Sequence, residues 1–389
     1  MIYFDYAATT PVDPRVQAAM EPFFRETFGN PSSVHRYGQK AEAAVEAARE
    51  SVAAALHCAP GEIVFTSCGS EADNLALRGV ALARRGQSGA DVLLTARSEH
   101  HAVSRTAEQL ERHFGFHVVW LDVDAYGRVS PGSVEQALSD RTALVSVMLA
   151  NNEIGTLNDI AGIAAVCRAH GVPLHTDAVQ GAAYLPVDVE ALGVDLLSLG
   201  AHKFYGPKGV GALYVRRGTP LLPVLTGGGQ EFGLRAGTHN VPYIAGLARA
   251  LELAGAERGE RSAQVLPLRD HLIGAILETI PESRLTGHPV ERLPNHASFA
   301  LRGVDGNLLL TLLDAAGFAC SSGSACKTGN PEMSEVLAAI GLPQEWGLGS
   351  LRLTLGSGST AGQVEQLLAV LPGLVEKARS LTTRAMGAG

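Results

Sequence analysis

No stretch of this 389-residue chain is apolar for long enough to cross a bilayer; runs such as Leu308 to Leu313 stop far short of a membrane span. Basic charge is in deficit too. With 31 Lys and Arg against 39 Asp and Glu the net charge is -8, so there is no general attraction to nucleic acid or to an anionic membrane. Metal-binding spacings are missing: the five cysteines (Cys58, Cys68, Cys167, Cys320, Cys326) form no CxxC pair, and the 13 histidines form no HExxH. A scattered, odd set of thiols argues for reduced cysteines rather than a disulfide framework or a zinc site. The opening Met1-Ile-Tyr-Phe-Asp5 lacks the basic-then-apolar pattern of an export signal. These absences predict a cytoplasmic protein with no metal, no nucleic-acid partner and no membrane anchor.

What is present is globular. Hydrophobic residues are 46% and charged ones 18%, and the length exceeds one ordinary core. Apolar runs at Ile63 to Thr66, Val92 to Thr95, Val118 to Leu121, Ala143 to Leu149, Val172 to Thr176, Val194 to Leu199 and Ala212 to Val215 alternate with helical patterns. Strands that are apolar throughout, separated by helices, predict an α/β fold with a largely parallel sheet covered on both faces. The charge run Glu257 to Arg261 is expected to open a long helix after a separate one over Val241 to Ala254. That places a large domain at residues 13–256, and a smaller α+β domain at 257–389 that residues 1–12 rejoin.

The polar residues of interest follow strand ends, where α/β sheets bind ligands. Lys203 ends the run at Leu199 and opens a Gly/Pro-rich loop; an amine beside apolar walls and another cation loses proton affinity and can serve as a Schiff-base nucleophile and a general base. Ser67 to Glu71 is a small-residue turn leading into a helix, a natural anion seat that capping would explain equally well. His100, Asn152 and Asp177 follow three more strands. Each alone has an ordinary explanation: a surface histidine, a turn, a helix cap. Thr226 to Asn240 holds five glycines, which means mobility or close backbone contact. Cys320 to Gly329 is a Gly/Ser-rich loop that presents Cys326 beside Lys327, fitting a reactive thiolate, whereas Cys58 and Cys167 sit in helical patterns as small hydrophobes. Arg352, in the alternating strand Ser350 to Leu355, needs an anion: a substrate carboxylate, or a structural Asp or Glu.

Taken together, Asp5-Tyr-Ala-Ala-Thr-Thr-Pro11, Asn151-Asn-Glu-Ile-Gly155, Asp177-Ala-Val-Gln180, His202-Lys-Phe-Tyr-Gly-Pro-Lys-Gly209, Gly227-Gly-Gly-Gln-Glu231 and Ser321-Ser-Gly-Ser-Ala-Cys326 resemble the cysteine desulfurases of iron–sulfur cluster assembly. These are class V aminotransferase-type enzymes that use pyridoxal 5'-phosphate. The resemblance runs from about Tyr3 to about Leu355, and its specificity lies in the combination. It implies the fold-type I architecture and a homodimer. It implies that Lys203 carries the cofactor and moves the Cα proton, that Asp177 faces the pyridine nitrogen and that Gln180 bonds the ring hydroxyl. His100 would stack on the ring and carry protons. Gly69, Ser70 and His202 would hold the phosphate, reached by Thr238 of the other subunit. Asn152 would touch the cofactor and, with Arg352, orient the substrate carboxylate. L-cysteine would become L-alanine, its sulfur passing to Cys326 as a persulfide for an acceptor protein such as an iron–sulfur scaffold.

Two positions depart from that family's pattern. Gly200 stands where it usually has a hydroxyl residue, which removes one phosphate bond, and Cys68 stands where glycine is common. Cys320, six residues before Cys326, is spaced to form a disulfide with it under oxidation. Two rival readings stay open at this point: a selenocysteine lyase or other β-eliminating class V enzyme, and a catalytically weak scaffold that binds an acceptor protein.

Overall fold

The apolar runs are strands, and the sheet they build sets the frame of the molecule. The computed structural model describes residues 1–323 and 333–387. In it β1 (Ile2–Tyr3) is followed by β2 (Ile63–Thr66), β3 (Val92–Ala96), β4 (His117–Leu121), β5 (Thr142–Ser146), β6 (Leu174–Asp177), β7 (Leu196–Gly200) and β8 (Gly211–Val215). β2 to β8 form one seven-stranded sheet in the order β2-β8-β7-β6-β5-β3-β4. β3 to β7 are parallel, and β8 runs antiparallel between β7 and β2.

Every residue of β2, β3, β5, β6, β7 and β8 is buried. That is why those strands read as unbroken apolar runs rather than alternating ones: helices cover both faces. One face packs Val64, Leu93, Leu144 and Leu196 against Leu75 and Leu110 of the helices Gly69–Ser88 and His101–Phe114. The other packs Phe65, Leu94, Val145 and Leu197 in a larger core that takes in Val45, Ile163 and Leu251, from the helices Arg36–Leu56, Ile160–Ala169 and Val241–Thr279. The edge strand β4 is covered on one side only, and its exposure alternates.

Later in the chain β9 (Ser283–Leu285), β10 (His296–Leu301) and β12 (Ser350–Thr354) form an antiparallel sheet in the order β12-β10-β9, and β11 (Phe318–Ala319) pairs in parallel with β1. A bridge from Asp5 to Thr354 extends this contact. The first residues of the chain are therefore stitched to its last strand.

The structure corrects two readings of the sequence. The two helices expected around residues 254–257 are one helix, Val241–Thr279, which runs through Pro267. Its buried side, from Ile244 to Ile276, supplies packing that outweighs the hydrogen bond lost at one proline. The helix expected to follow the small-residue turn Ser67 to Glu71 starts within it, at Gly69, so that turn supplies the first helical turn. Among the described residues no helix is long and apolar enough to cross a membrane.

Candidate active site

After β3 the chain goes to β4 on one side and returns to β5 on the other. Loops leaving the carboxyl ends of strands at such a reversal diverge and open a crevice. A cavity of about 230 Å³ lies there. It brings together Lys203, Asp177, Gln180, His100, Gly69 and Ser70, with His202, Asn152 and Arg352 completing the wall. A larger cleft of about 640 Å³, near Pro173, Asp195 and Arg216, opens at the amino ends of the strands and holds none of these residues.

Lys203 closes the short turn Ala201–Lys203 that follows β7. Its Nζ donates to the carbonyls of Ala7 at 2.6 Å and Ala8 at 2.9 Å. Burial, and then the nearby Arg352 charge, bring its pKa down to about 8. The amine is thus held by neutral acceptors and releases its proton far more easily than a surface lysine. Asp177 ends β6 and is 6% exposed; its Oδ1 accepts the Val179 N–H at 2.8 Å. Burial raises its pKa, and His100, that N–H and Lys203 oppose the rise by stabilising the carboxylate.

His100 has a structural task that the sequence did not suggest for it. It is the cap of the helix His101–Phe114, with Nδ1 accepting the Ala102 N–H at 3.1 Å, which leaves Nε2 to carry the ring proton. Desolvation lowers its pKa and Lys203 adds to this, while Asp177 pulls the other way.

The anion seat is built by elimination of competitors. Cys68 is the cap residue of the helix Gly69–Ser88 but offers no side-chain bond. The Glu71 carboxylate accepts the Ser67 N–H at 2.6 Å and pairs with Arg235 at 2.8 Å. The first-turn amides at Gly69 and Ser70 are thereby left for a ligand at the positive end of the dipole. A Cβ on Gly69 would meet Val179 Cγ2 at 2.7 Å, so the close approach needs glycine. His202 beside them contacts Thr9 Oγ1 through Nδ1 at 3.1 Å and is neutral, its pKa brought to about 4 by burial and then by Lys203 and Lys208.

Of its two candidate anions, Arg352 meets the structural acid. Nη2 pairs with Asp5 Oδ1 at 2.8 Å and Nη1 donates to the Asn152 carbonyl at 3.0 Å, while the buried Nε has no partner. The Nε–H and the second hydrogens on Nη1 and Nη2 are not used by the bonds to Asp5 and Asn152 and can meet an incoming carboxylate. Gln180 donates through Nε2 to the Ala7 carbonyl at 2.9 Å. Thr238 is exposed and does not line the cavity. Cys326 lies outside the described residues; Ser322 and Gly323 before it and Met333 and Ser334 after it border an adjoining cavity of about 430 Å³ that shares His100, Asn152 and Arg352. Cys320 is half-buried, its thiol pushed up to about 12 by burial and then by Asp5. Cys167 is buried and Cys58 partly so, both with thiols raised to about 12.

Reading by sequence missed the Ala7 and Ala8 carbonyls, whose role is in the backbone and leaves no residue-type signal. It missed Asp5 as the Arg352 partner, since 347 residues separate them. Asp73 was missed although a signal existed: an acid four residues after Gly69, on the helix face that is otherwise buried and apolar.

The model of the aminotransferase class-V family matches residues 2–367. The cysteine desulfurase IscS of Methanosarcina thermophila is 46% identical over 98% of this chain and 93% of its own length. The IscS-like cysteine desulfurase of Mycobacterium tuberculosis is 44% identical, with 100% of each chain covered. Among solved structures a NifS-like protein superposes with a TM-score of 0.89 at 36% identity, covering 97% of this chain and 99% of that one.

Proposed function

Because the chain belongs to the aminotransferase class-V family, we propose that it is a cysteine desulfurase that converts L-cysteine to L-alanine and delivers the sulfur for iron–sulfur cluster assembly. The observation that carries the reading is the cavity itself. A lysine amine poised near neutrality, a buried carboxylate and a helix amino end left without a capping side chain meet in one space at the carboxyl edge of the sheet. Those features fit pyridoxal 5'-phosphate: an amine for its aldehyde, unfilled amides for its phosphate and a carboxylate for its ring nitrogen. When bound, the cofactor supplies an electron sink conjugated to the substrate Cα.

The residues then divide the work. Gly69, Ser70 and His202 hold the phosphate, with Thr238 reaching it from a second subunit. Asp177 would keep the ring nitrogen protonated, Gln180 would bond the ring hydroxyl, and His100 would cover the ring and relay protons. Asn152 and the free Nε of Arg352 orient the substrate carboxylate. The Lys203 amine would take the Cα proton. The Cys326 thiolate attacks the substrate sulfur; the new sulfur–sulfur bond forms from the thiolate's electron pair, the pair of the broken carbon–sulfur bond stays with Cβ, and L-alanine leaves after Cβ and Cα each take up a proton, with a persulfide left on Cys326. The same reading carries a homodimer in the cytoplasm, a large domain at 13–256 and a small one at 1–12 with 257–389, and an acceptor protein such as an iron–sulfur scaffold.

The test is the visible spectrum of the purified protein before and after L-cysteine, with alanine and sulfide measured in the same sample under reductant. A yellow chromophore that responds to cysteine, with both products formed, is expected. Cys326→Ala is expected to keep the chromophore and lose sulfide formation. Undiminished sulfide from that variant would instead indicate simple elimination, which needs no protein thiol.

A further inference from the structure

The Asp73 carboxyl takes no part in the roles above, yet it reaches the cavity from the helix Gly69–Ser88 and is 1% exposed. One oxygen of Asp73, one of Asp177 and a ring nitrogen of His100 all lie within 4.8 Å of one another. Two carboxyl groups so close, and away from water, hold one proton between them in preference to none. Their surroundings decide which keeps it. Asp177 faces Lys203 and His100 and accepts a backbone N–H. Asp73 faces the carboxylates of Asp177 and Glu99 and the Cys68 thiol. Of the basic groups near Asp73, the His100 ring is shared with Asp177, and His175 Nε2 stands 3.6 Å from Asp73 Oδ1, too far for a hydrogen bond.

His175 is no substitute for a cation. Its ring is fully buried, with Nδ1 2.9 Å from Ser146 Oγ and Nε2 2.9 Å from Ser198 Oγ, and burial brings its pKa down to about 3. A neutral imidazole between two hydroxyls donates to one and accepts from the other. The Ser198 hydroxyl also lies beside the Asp73 carboxyl, where it lowers the pKa that burial and the Asp177 charge raise. The groups form a chain from Asp73 through Ser198 and His175 to Ser146, and such a chain has two possible polarities.

Resting on the reading that Asp177 faces the cofactor's ring nitrogen, we infer that Asp73 is a positioning residue: it carries the proton of the pair, donates it to Ser198, and leaves Asp177 as the one charged carboxylate of the two. In that polarity Ser198 donates to His175 Nε2, and the Nδ1–H of His175 donates to Ser146. An ionised Asp73 would reverse every bond and place the ring proton on Nε2.

The tautomer of His175 therefore reports the charge on Asp73. It is read by nitrogen NMR of the full chain with isotope-labelled histidine, loaded with pyridoxal phosphate and again unloaded, the signal being assigned by its loss in His175→Gln. The expected result is Nδ1–H in both states near neutral pH. The same tautomer is expected in Asp73→Asn, whose amide donates as the acid does, and a mixture of tautomers in Asp73→Ala, with severalfold weaker cofactor binding. An Nε2–H ring in the wild type, a switch of tautomer in Asp73→Asn, or an unaltered ring in Asp73→Ala overturns the inference. A chain that takes up no pyridoxal phosphate would sink the functional reading instead, and the unloaded protein would still decide the charge on Asp73.

Discussion

Lys203 shows how far a single residue's chemistry is set by what lies around it. Its amine is protonated below a pKa of about 8 and free above it, and only the free amine attacks an aldehyde. The rate at which unloaded protein takes up pyridoxal phosphate, followed by absorbance at several pH values, is therefore expected to rise through pH 8 and level off above it. A rate still climbing towards the ordinary lysine value would mean that the amine is not held as described. Gly200 carries the opposite lesson, a group that is missing. A Cβ placed there would lie 3.4 Å from Val179 Cγ1 and 3.5 Å from the Gly69 nitrogen, close but without backbone collision. Gly200→Ser is expected to add one hydrogen bond to the phosphate, worth about 1 kcal/mol, and so to tighten cofactor binding about fivefold. Equilibrium titration of the unloaded variant measures it. Both residues could be named from the sequence as strand-end positions. The carbonyls of Ala7 and Ala8 could not, since any residue offers the same acceptor.

At the level of elements, the loop after β8 is pinned by one buried ion pair. Glu231 and Phe232 both have positive φ, 48° and 58°, a conformation that non-glycine residues hold only when their surroundings compel it. The compulsion is visible. Glu231 takes two bonds from Arg49 at 2.8 and 2.9 Å, one from the Phe65 N–H at 2.7 Å and a contact from His239 at 2.7 Å. The Arg49 guanidinium lies against the rings of Phe65 and Phe232. Burial pushes the Glu231 carboxyl up, but the Arg49 and His239 bonds outweigh it and hold the pKa at about 2. Glu231→Ala leaves the buried Arg49 with only the half-exposed Glu46, 3.1 Å from its Nε, and the expected loss is about 3 kcal/mol, read from the midpoint of denaturant unfolding. The sequence offered this loop as a glycine-rich stretch in close contact or mobile; the buried acid within it resolves the choice for Glu231.

For the whole molecule the expectation concerns association. Thr238 is exposed in the single chain, so its assigned contact with a phosphate requires a second copy. Phe28, Val34, Leu225 and Phe232 are also exposed, at 64%, 91%, 50% and 60%, and are available for burial against a second copy. Light scattering of the purified protein is expected to give twice the chain mass. A monomer that nevertheless binds the cofactor would remove Thr238 from the site.

The sequence by itself determined the strands of the sheet, most of the helices and the strand-end residues, because burial on both faces writes itself as unbroken apolar runs and because ligand groups follow strand ends. It also determined the family, through motifs spread from Tyr3 to Leu355. Only the tertiary structure decided that Asp5 meets Arg352, that the first residues pair with the last strand, and that Asp73 lies beside Asp177. Those contacts join positions 347, 349 and 104 residues apart, and a pairing over such distances depends on how packed layers bring surfaces together. Local composition carries no record of it.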